Sequence, residues 1–155
     1  MSPPKTQHLP KSLQALSRSE WDALCARCGR CCVIKFVTSA SSRVHYTKLA
    51  CRHLNIKTAQ CRCYRSRKDR APECIDLYGA PGSTFKWLPK SCSYRILMEG
   101  GTLPLWHPLV TGNPKSAVKT GMSIVGHVVS EGDSLTPYQS DWPDKPKSRK
   151  GKARQ

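Results

Sequence analysis

The chain has 155 residues, 26 of them basic and 10 acidic, for a formal charge of +16, and only 38% are hydrophobic. That length fits one ordinary domain with some tail, and so few apolar residues make a small core that a bound metal would help to hold together. No apolar run approaches the roughly 18 residues needed to cross a bilayer, and residues 1–10 lack the apolar centre of a secretory leader, so the expected compartment is cytoplasmic, with thiols reduced.

In chain order, residues 1–14 are polar and proline-rich and read as a disordered lead-in. Ser17 and Glu20 form a capping box, with Leu16 and Trp21 at the staple positions, which predicts a helix from Arg18 to about Cys25. Gly29 suits a tight turn between Cys28 and Cys31 that needs positive φ. Residues 33–37 read as a strand and 43–47 as its hairpin partner. Thr47 is then expected to cap a short helix carrying Leu49, Ala50, Cys51 and Leu54. A basic run, Arg65 to Arg70, leads to Pro72, which breaks any helix before Cys74. Residues 83–88 read as loop or short strand, and residues 90–99 as a helix opened by Pro89 and closed by Gly100-Gly101. Residues 103–109 read as extended and residues 123–130 as a buried late strand. The segment 137–155 reads as a disordered basic tail, leaving 15–136 as one domain. The fold class is α+β: short helices and a few strands around a metal.

Chemistry is concentrated in Cys25-Ala26-Arg27-Cys28-Gly29-Arg30-Cys31-Cys32, part of a total of nine cysteines. Two C-x2-C steps bring three sulfurs within reach of one metal. An odd count, an adjacent pair and no leader fit a disulfide framework poorly. Zinc would need one more ligand, from Cys32, Cys51, Cys61, Cys63, Cys74, Cys92 or a histidine, and an iron–sulfur cluster would use the same thiolates on a larger core. The first three cysteines match the bacterial ferredoxin spacing C-x2-C-x2-C-x3-C-P, but the fourth position falls on Lys35. Cys51, Cys74 and Cys92 can equally be small buried hydrophobes, whereas a C-x-C pair, Cys61 and Cys63, has little packing purpose in a polar loop. His53 and His107 are further candidates, though each is more simply a packed side chain.

Two other functions remain open at this level. Arg27 and Arg30 favour thiolate, so thiol redox catalysis within Cys25–Cys32 is one. The charge attracts polyanions non-specifically, so a zinc-stabilised nucleic-acid-binding module, with Arg62, Arg65, Arg67, Lys68 and Arg70 on phosphate and Tyr64 stacking on bases, is the other. Gly79-Ala80-Pro81-Gly82 lacks the lysine-serine or lysine-threonine pair of a phosphate loop.

Taken together, Glu20-Trp21, Cys25-x2-Cys28-Gly29-x-Cys31-Cys32, Ala50-Cys51-Arg52-x-Leu54 and Cys61-Arg62 resemble the bacterial YcgN-like cysteine-cluster proteins. So do Tyr64, Pro72-x-Cys74-Ile75, Trp87-Leu88-Pro89-x2-Cys92-x-Tyr94-Arg95 and Leu103-Pro104-x-Trp106-His107-Pro108-Leu109. The matches keep their order over residues 15–131. The family is uncharacterised and its shared domain is described as zinc- or iron-chelating. The resemblance implies metal ligation by Cys25, Cys28, Cys31 and Cys32, with Cys51, Cys61, Cys74 and Cys92 as further ligands. Flagellin lysine methylases bear a similar cluster, which brings an iron–sulfur centre into consideration. The chain departs from the family pattern at Ala59, where a cysteine is expected, so that Cys63 is additional. The expectation is therefore a metal-binding protein holding iron, as an iron–sulfur centre or otherwise, or zinc. A cluster-dependent or thiol redox enzyme is the alternative, with an unidentified protein partner, weak non-specific nucleic-acid binding and no membrane span.

Overall fold

The computed structural model describes residues 13–37, 39–40, 43–132 and 139–140. The lead-in before Leu13 and most of the basic tail lie outside the described residues. The first helix, α1 (Arg18–Ala23), forms where the capping box predicts it: the Ser17 side chain accepts from the Glu20 N–H, and Glu20 Oε2 accepts the Ser17 N–H at 2.8 Å. It ends before Cys25, which the chain reaches through the C-cap Leu24.

The main sheet is built around β2 (Val44–Ala50), which pairs antiparallel with β1 (Val33–Val37). The short β5 (Val129–Ser130) lies parallel to β2 at Leu49 and Ala50, and β6 (Gln139–Ser140) antiparallel to it at Tyr46 and Thr47. The strand β6 falls inside the segment read as tail. A bulge interrupts β1 between Val33 and Lys35; beside it the buried Thr47 hydroxyl donates to the Ile34 carbonyl at 2.7 Å. A second, two-stranded sheet pairs β3 (Leu54–Asn55) with β4 (Gln60–Cys61).

Four more short helices follow: α2 (Arg67–Arg70), α3 (Ser93–Met98), α4 (Pro108–Thr111) and α5 (Ser116–Lys119). The end of α3 is a Schellman motif, with Gly100 at φ +84° donating to the Leu97 carbonyl and Gly101 to that of Ile96. The class is the expected mixed α+β, and no helix among the described residues is long and apolar enough to cross a membrane.

Several local readings are corrected. The segment after Thr47 continues as strand through Ala50, because Thr47, Leu49 and Ala50 are buried at the centre of the sheet, where β-pairing on both edges outweighs helical spacing. Residues 82–87 form a 3₁₀ helix. The predicted helix 90–99 shortens to α3, leaving Cys92 in extended conformation just before it. Within 103–109 the chain turns at Trp106 and enters α4 at Pro108. The late strand shrinks to β5, since residues 124–127 turn through Gly126 at φ +81°.

Apolar packing falls into three small clusters. In the first, Trp21 stacks on Tyr94 with ring centroids 4.7 Å apart and meets Leu16, Leu24, Phe85 and Leu88. The second joins the sheet to the late loop through Val33, Ala50, Leu54, Ala59 and Ile124. The third holds Ala26, Trp106, Ala117 and Met122. Each carries cysteines on its border: Cys92 on the first, Cys32 and Cys51 on the second, Cys28 on the third.

Candidate metal centre

All nine cysteines are free thiols. The loop between Cys25 and Cys32 is shaped by two left-handed residues, Arg27 at φ +55° and Gly29 at φ +76°. It wraps so that backbone amides face sulfur. The Arg27 N–H donates to Cys25 Sγ at 3.4 Å, and the Arg30 N–H favours the Cys28 thiolate in the same i to i+2 relation. The Tyr94 and Arg95 N–H groups do the same for Cys92. Amide donors on sulfur stabilise the charged thiolate, the form that binds metal.

Packing opposes them. Burial, with the neighbouring Cys31 and Cys28 sulfurs, pushes the Cys25 thiol up to about 12. Burial and Cys31 push Cys28 up to about 11, and burial with Cys31 and Cys28 raises Cys92. Cys25 nevertheless keeps exposed surface. Cys31 differs: a hydrogen bond from Cys32, with sulfurs 3.9 Å apart, together with the Lys35 charge brings it down to about 6. Cys32 is raised, keeping the proton of the pair.

The sheet delivers the other thiols. Beyond the β1–β2 ladder the Cys51 N–H donates to the Cys32 carbonyl at 2.8 Å, setting these two residues side by side. The β3–β4 pairing puts Cys61 opposite Leu54, and Cys63 Sγ lies 3.8 Å from Cys61 Sγ. Cys74 follows α2. These residues line a cleft of about 510 Å³, whose walls include Cys31, Cys32, Cys51, Cys61, Cys63 and Cys74 and also His53 and Arg70. Burial raises Cys74 and Cys63, against the charges of Arg67 and Arg70 respectively.

Six cysteines thus share the cleft, the buried Cys63 among them, whereas Cys25, Cys28 and Cys92 do not line it; for Cys63 the C-x-C spacing was the only signal. Sulfurs bound to one tetrahedral ion at about 2.3 Å stand about 3.8 Å apart, the separation of Cys31 from Cys32 and of Cys61 from Cys63. Still, among the described residues no three Cys, His, Asp or Glu side chains converge on a point that could hold a single ion. The thiols are gathered without being focused.

Two other candidates resolve differently. His107 is fully buried, its Nε2 donating to the Leu24 carbonyl at 2.9 Å while Nδ1 accepts the Leu109 N–H at 3.0 Å. Both ring nitrogens are used, so its role is to tie α4 to the chain entering the cysteine loop. Arg67 is buried rather than solvated, paired with Asp76 at 2.7 Å and lying over the Tyr64 ring at 4.2 Å. That contact covers one face of the ring expected to stack on bases. Arg62, Arg65, Lys68 and Arg70 remain exposed.

Without metal, the raised thiols give the fold an alkaline limit. A buried thiol above its ordinary 9.0 leaves the folded state neutral while the unfolded chain ionises. The contribution of such a thiol is thus complete below about pH 9 and is lost as pH rises toward the folded value near 11 of Cys28. Urea titrations of the reduced, metal-free protein should show midpoints falling across that window, less steeply in Cys28→Ser. A flat profile would contradict the buried-thiol arrangement.

Comparison with known proteins gives consistent relatives. A UPF0260 protein of Azotobacter vinelandii is 42% identical over 132 residues, spanning 85% of this chain and 87% of its own length. UPF0260 protein YcgN of Shigella boydii is 41% identical over 136 residues, 88% of each chain, and YcgN of Escherichia coli gives the same figures. No family model and no solved structure matches the chain.

Proposed function

The chain belongs to the UPF0260 protein family of bacteria, and from that premise we propose that it is a metal-binding protein whose cysteines hold iron as an iron–sulfur centre. The observation that carries this reading is the place of the thiols: cysteines pack against each of the three small apolar clusters, Cys92 on the first, Cys32 and Cys51 on the second and Cys28 on the third. Nine thiols without a disulfide, several facing backbone amide donors, make a soft, anionic donor set that suits iron or zinc. That no three ligating side chains converge on one point among the described residues favours the larger core. One zinc ion requires four donors at bonding distance from a single point, whereas an iron–sulfur core presents its iron atoms to thiolates that stand further apart. When bound, such a centre would supply electron transfer or Lewis acidity; the cysteines of this chain would hold it, and the cleft that six of them line would leave it open to solvent.

The reading is tested by purifying the protein without oxygen and recording its visible spectrum. A brown protein with broad thiolate-to-iron absorption that bleaches in air is expected; a colourless protein saturated with zinc would sink the iron reading.

A second reading has one observation in its favour, the Cys31–Cys32 pair, in which one thiol is a ready thiolate and the other its hydrogen-bond donor 3.9 Å away. Thiol redox catalysis would be supported by disulfide reductase activity that Cys31→Ser abolishes while metal content is unchanged.

A further inference from the structure

One pair of cysteines in the cleft is placed to bond to each other. Cys61 ends β4, opposite Leu54, and Cys63 Sγ stands 3.8 Å from Cys61 Sγ. The backbone around them is anchored. Between the two, the Arg62 N–H donates to the His53 carbonyl at 2.8 Å, and the Cys63 carbonyl accepts the Ser66 N–H at 2.9 Å. Rotation of two side chains is then the movement that brings the sulfurs to a bond of about 2.05 Å. Residues two apart reach at most about 7 Å between Cα atoms. Arg62 and Cys63 lie in a turn, which shortens that span into the disulfide range of about 4.4–6.8 Å. The Cys31–Cys32 pair, with sulfurs 3.9 Å apart, differs. A trans peptide holds adjacent Cα atoms about 3.8 Å apart, below that range, so a bridge there strains the backbone.

We propose that Cys61 and Cys63 form an oxidation site, a thiol pair that a peroxide converts into a reversible disulfide. Cys61 is half-buried and lines the cleft of about 510 Å³, whereas Cys63 is buried, so Cys61 meets the oxidant first. Its thiolate sulfur attacks one peroxide oxygen, the O–O bond breaks, and the other oxygen leaves as hydroxide and takes up a proton. Cys61 is now a sulfenic acid. The Cys63 sulfur attacks it, the S–O bond breaks, and the oxygen leaves as water with the Cys63 proton. Two thiols and one hydrogen peroxide thus give one disulfide and two waters, and a dithiol reductant reverses the bridge by exchange. Cys63, additional to the family pattern, is what gives this chain the resolving thiol. Resting on the metal-binding reading above, the bridge also regulates the site: oxidation withdraws two of the six thiols that line the cleft.

The test treats the full chain, reduced and stripped of metal, with increasing equivalents of hydrogen peroxide, then alkylates it and digests it with trypsin, which cuts after Arg62. The first bridge expected joins peptide 58–62 to peptide 63–65 with the loss of two hydrogens; dithiothreitol should reverse it and Cys63→Ser abolish it. A first bridge between Cys31 and Cys32, or Cys61 and Cys63 both recovered alkylated at every peroxide level, would overturn the proposal. The reduced and bridged proteins are then each offered Cd2+ alone, a thiophilic ion that leaves disulfides intact, and the metal retained after desalting is counted. Less Cd2+ in the bridged protein, restored by dithiothreitol, is expected. Equal retention would overturn the regulatory role and leave the oxidation site standing. No Cd2+ held by the reduced protein would overturn the metal-binding reading itself, with the mapped bridge unaffected.

Discussion

Gly29→Ala is expected to destabilise the protein by about 2–4 kcal/mol, the sum of overpacking and left-handed strain. Gly29 sits at φ +76°, where an L side chain is strained whatever the space. A Cβ added there would stand 2.5 Å from Ile124 Cγ1 and 3.2 Å from the Ala59 Cβ. Ile124 is fully buried and its N–H donates to the Cys28 carbonyl at 2.9 Å, so it cannot retreat without dragging the cysteine loop. Gly126→Ala provides the control. That residue has a similar φ of +81° but nothing within 4 Å of an added Cβ, so it should lose only about 1 kcal/mol, the backbone share. Urea midpoints of the two variants separate the steric effect from the conformational one; equal losses would show that the contact of Gly29 with Ile124 is unimportant.

His107→Ala is expected to cost about 2–4 kcal/mol, because it leaves the Leu24 carbonyl and the Leu109 N–H without partners and opens a cavity. The variant carries a second signature. Burial lowers the proton affinity of the imidazole below its ordinary 6.5, so the unfolded chain takes up a proton before the folded one does. Stability from this group is therefore complete above about pH 6.5 and declines as the medium is acidified below it. The wild type should lose stability on acidification more steeply than His107→Ala. The folded variant should also keep its metal, since neither ring nitrogen is free to ligate. Metal lost from a folded His107→Ala protein would return the histidine to the ligand set.

The first helix was legible because its signal is local: Ser17, Glu20, Leu16 and Trp21 act within one turn of one another. The same holds for the turn at Gly29, the pairing of residues 33–37 with 43–47 and the glycine stop after α3. What the sequence hid depends on distant partners. Leu49, Ala50, Cys51 and Leu54 have helical spacing, yet β1 and β5 claim the first two for the centre of a sheet. His107 looks from sequence like any packed histidine beside an aromatic residue, and its two hydrogen bonds are made to backbone that only the fold brings near. At the site, the crowding of thiols was plain from C-x2-C-x2-C-C, and the downstream cysteines were named as candidate ligands through the family resemblance. That Cys51 stands beside Cys32 was not legible, because the ladder that brings them together is a long-range pairing. The spacing offered Cys63 as a ligand but the resemblance gave it no place, since in the family pattern the C-x-C pair ends at Cys61; the fold puts Cys63 in the wall of the cleft.

The most direct test of the central claim is elemental: iron, acid-labile sulfide and zinc measured together on protein purified strictly without oxygen. The thiol-held centre predicts iron and sulfide in comparable amounts with little zinc, falling in proportion when Cys28 and Cys92 are replaced by serine. Zinc alone at one ion per chain, or a folded protein free of all three, would contradict it.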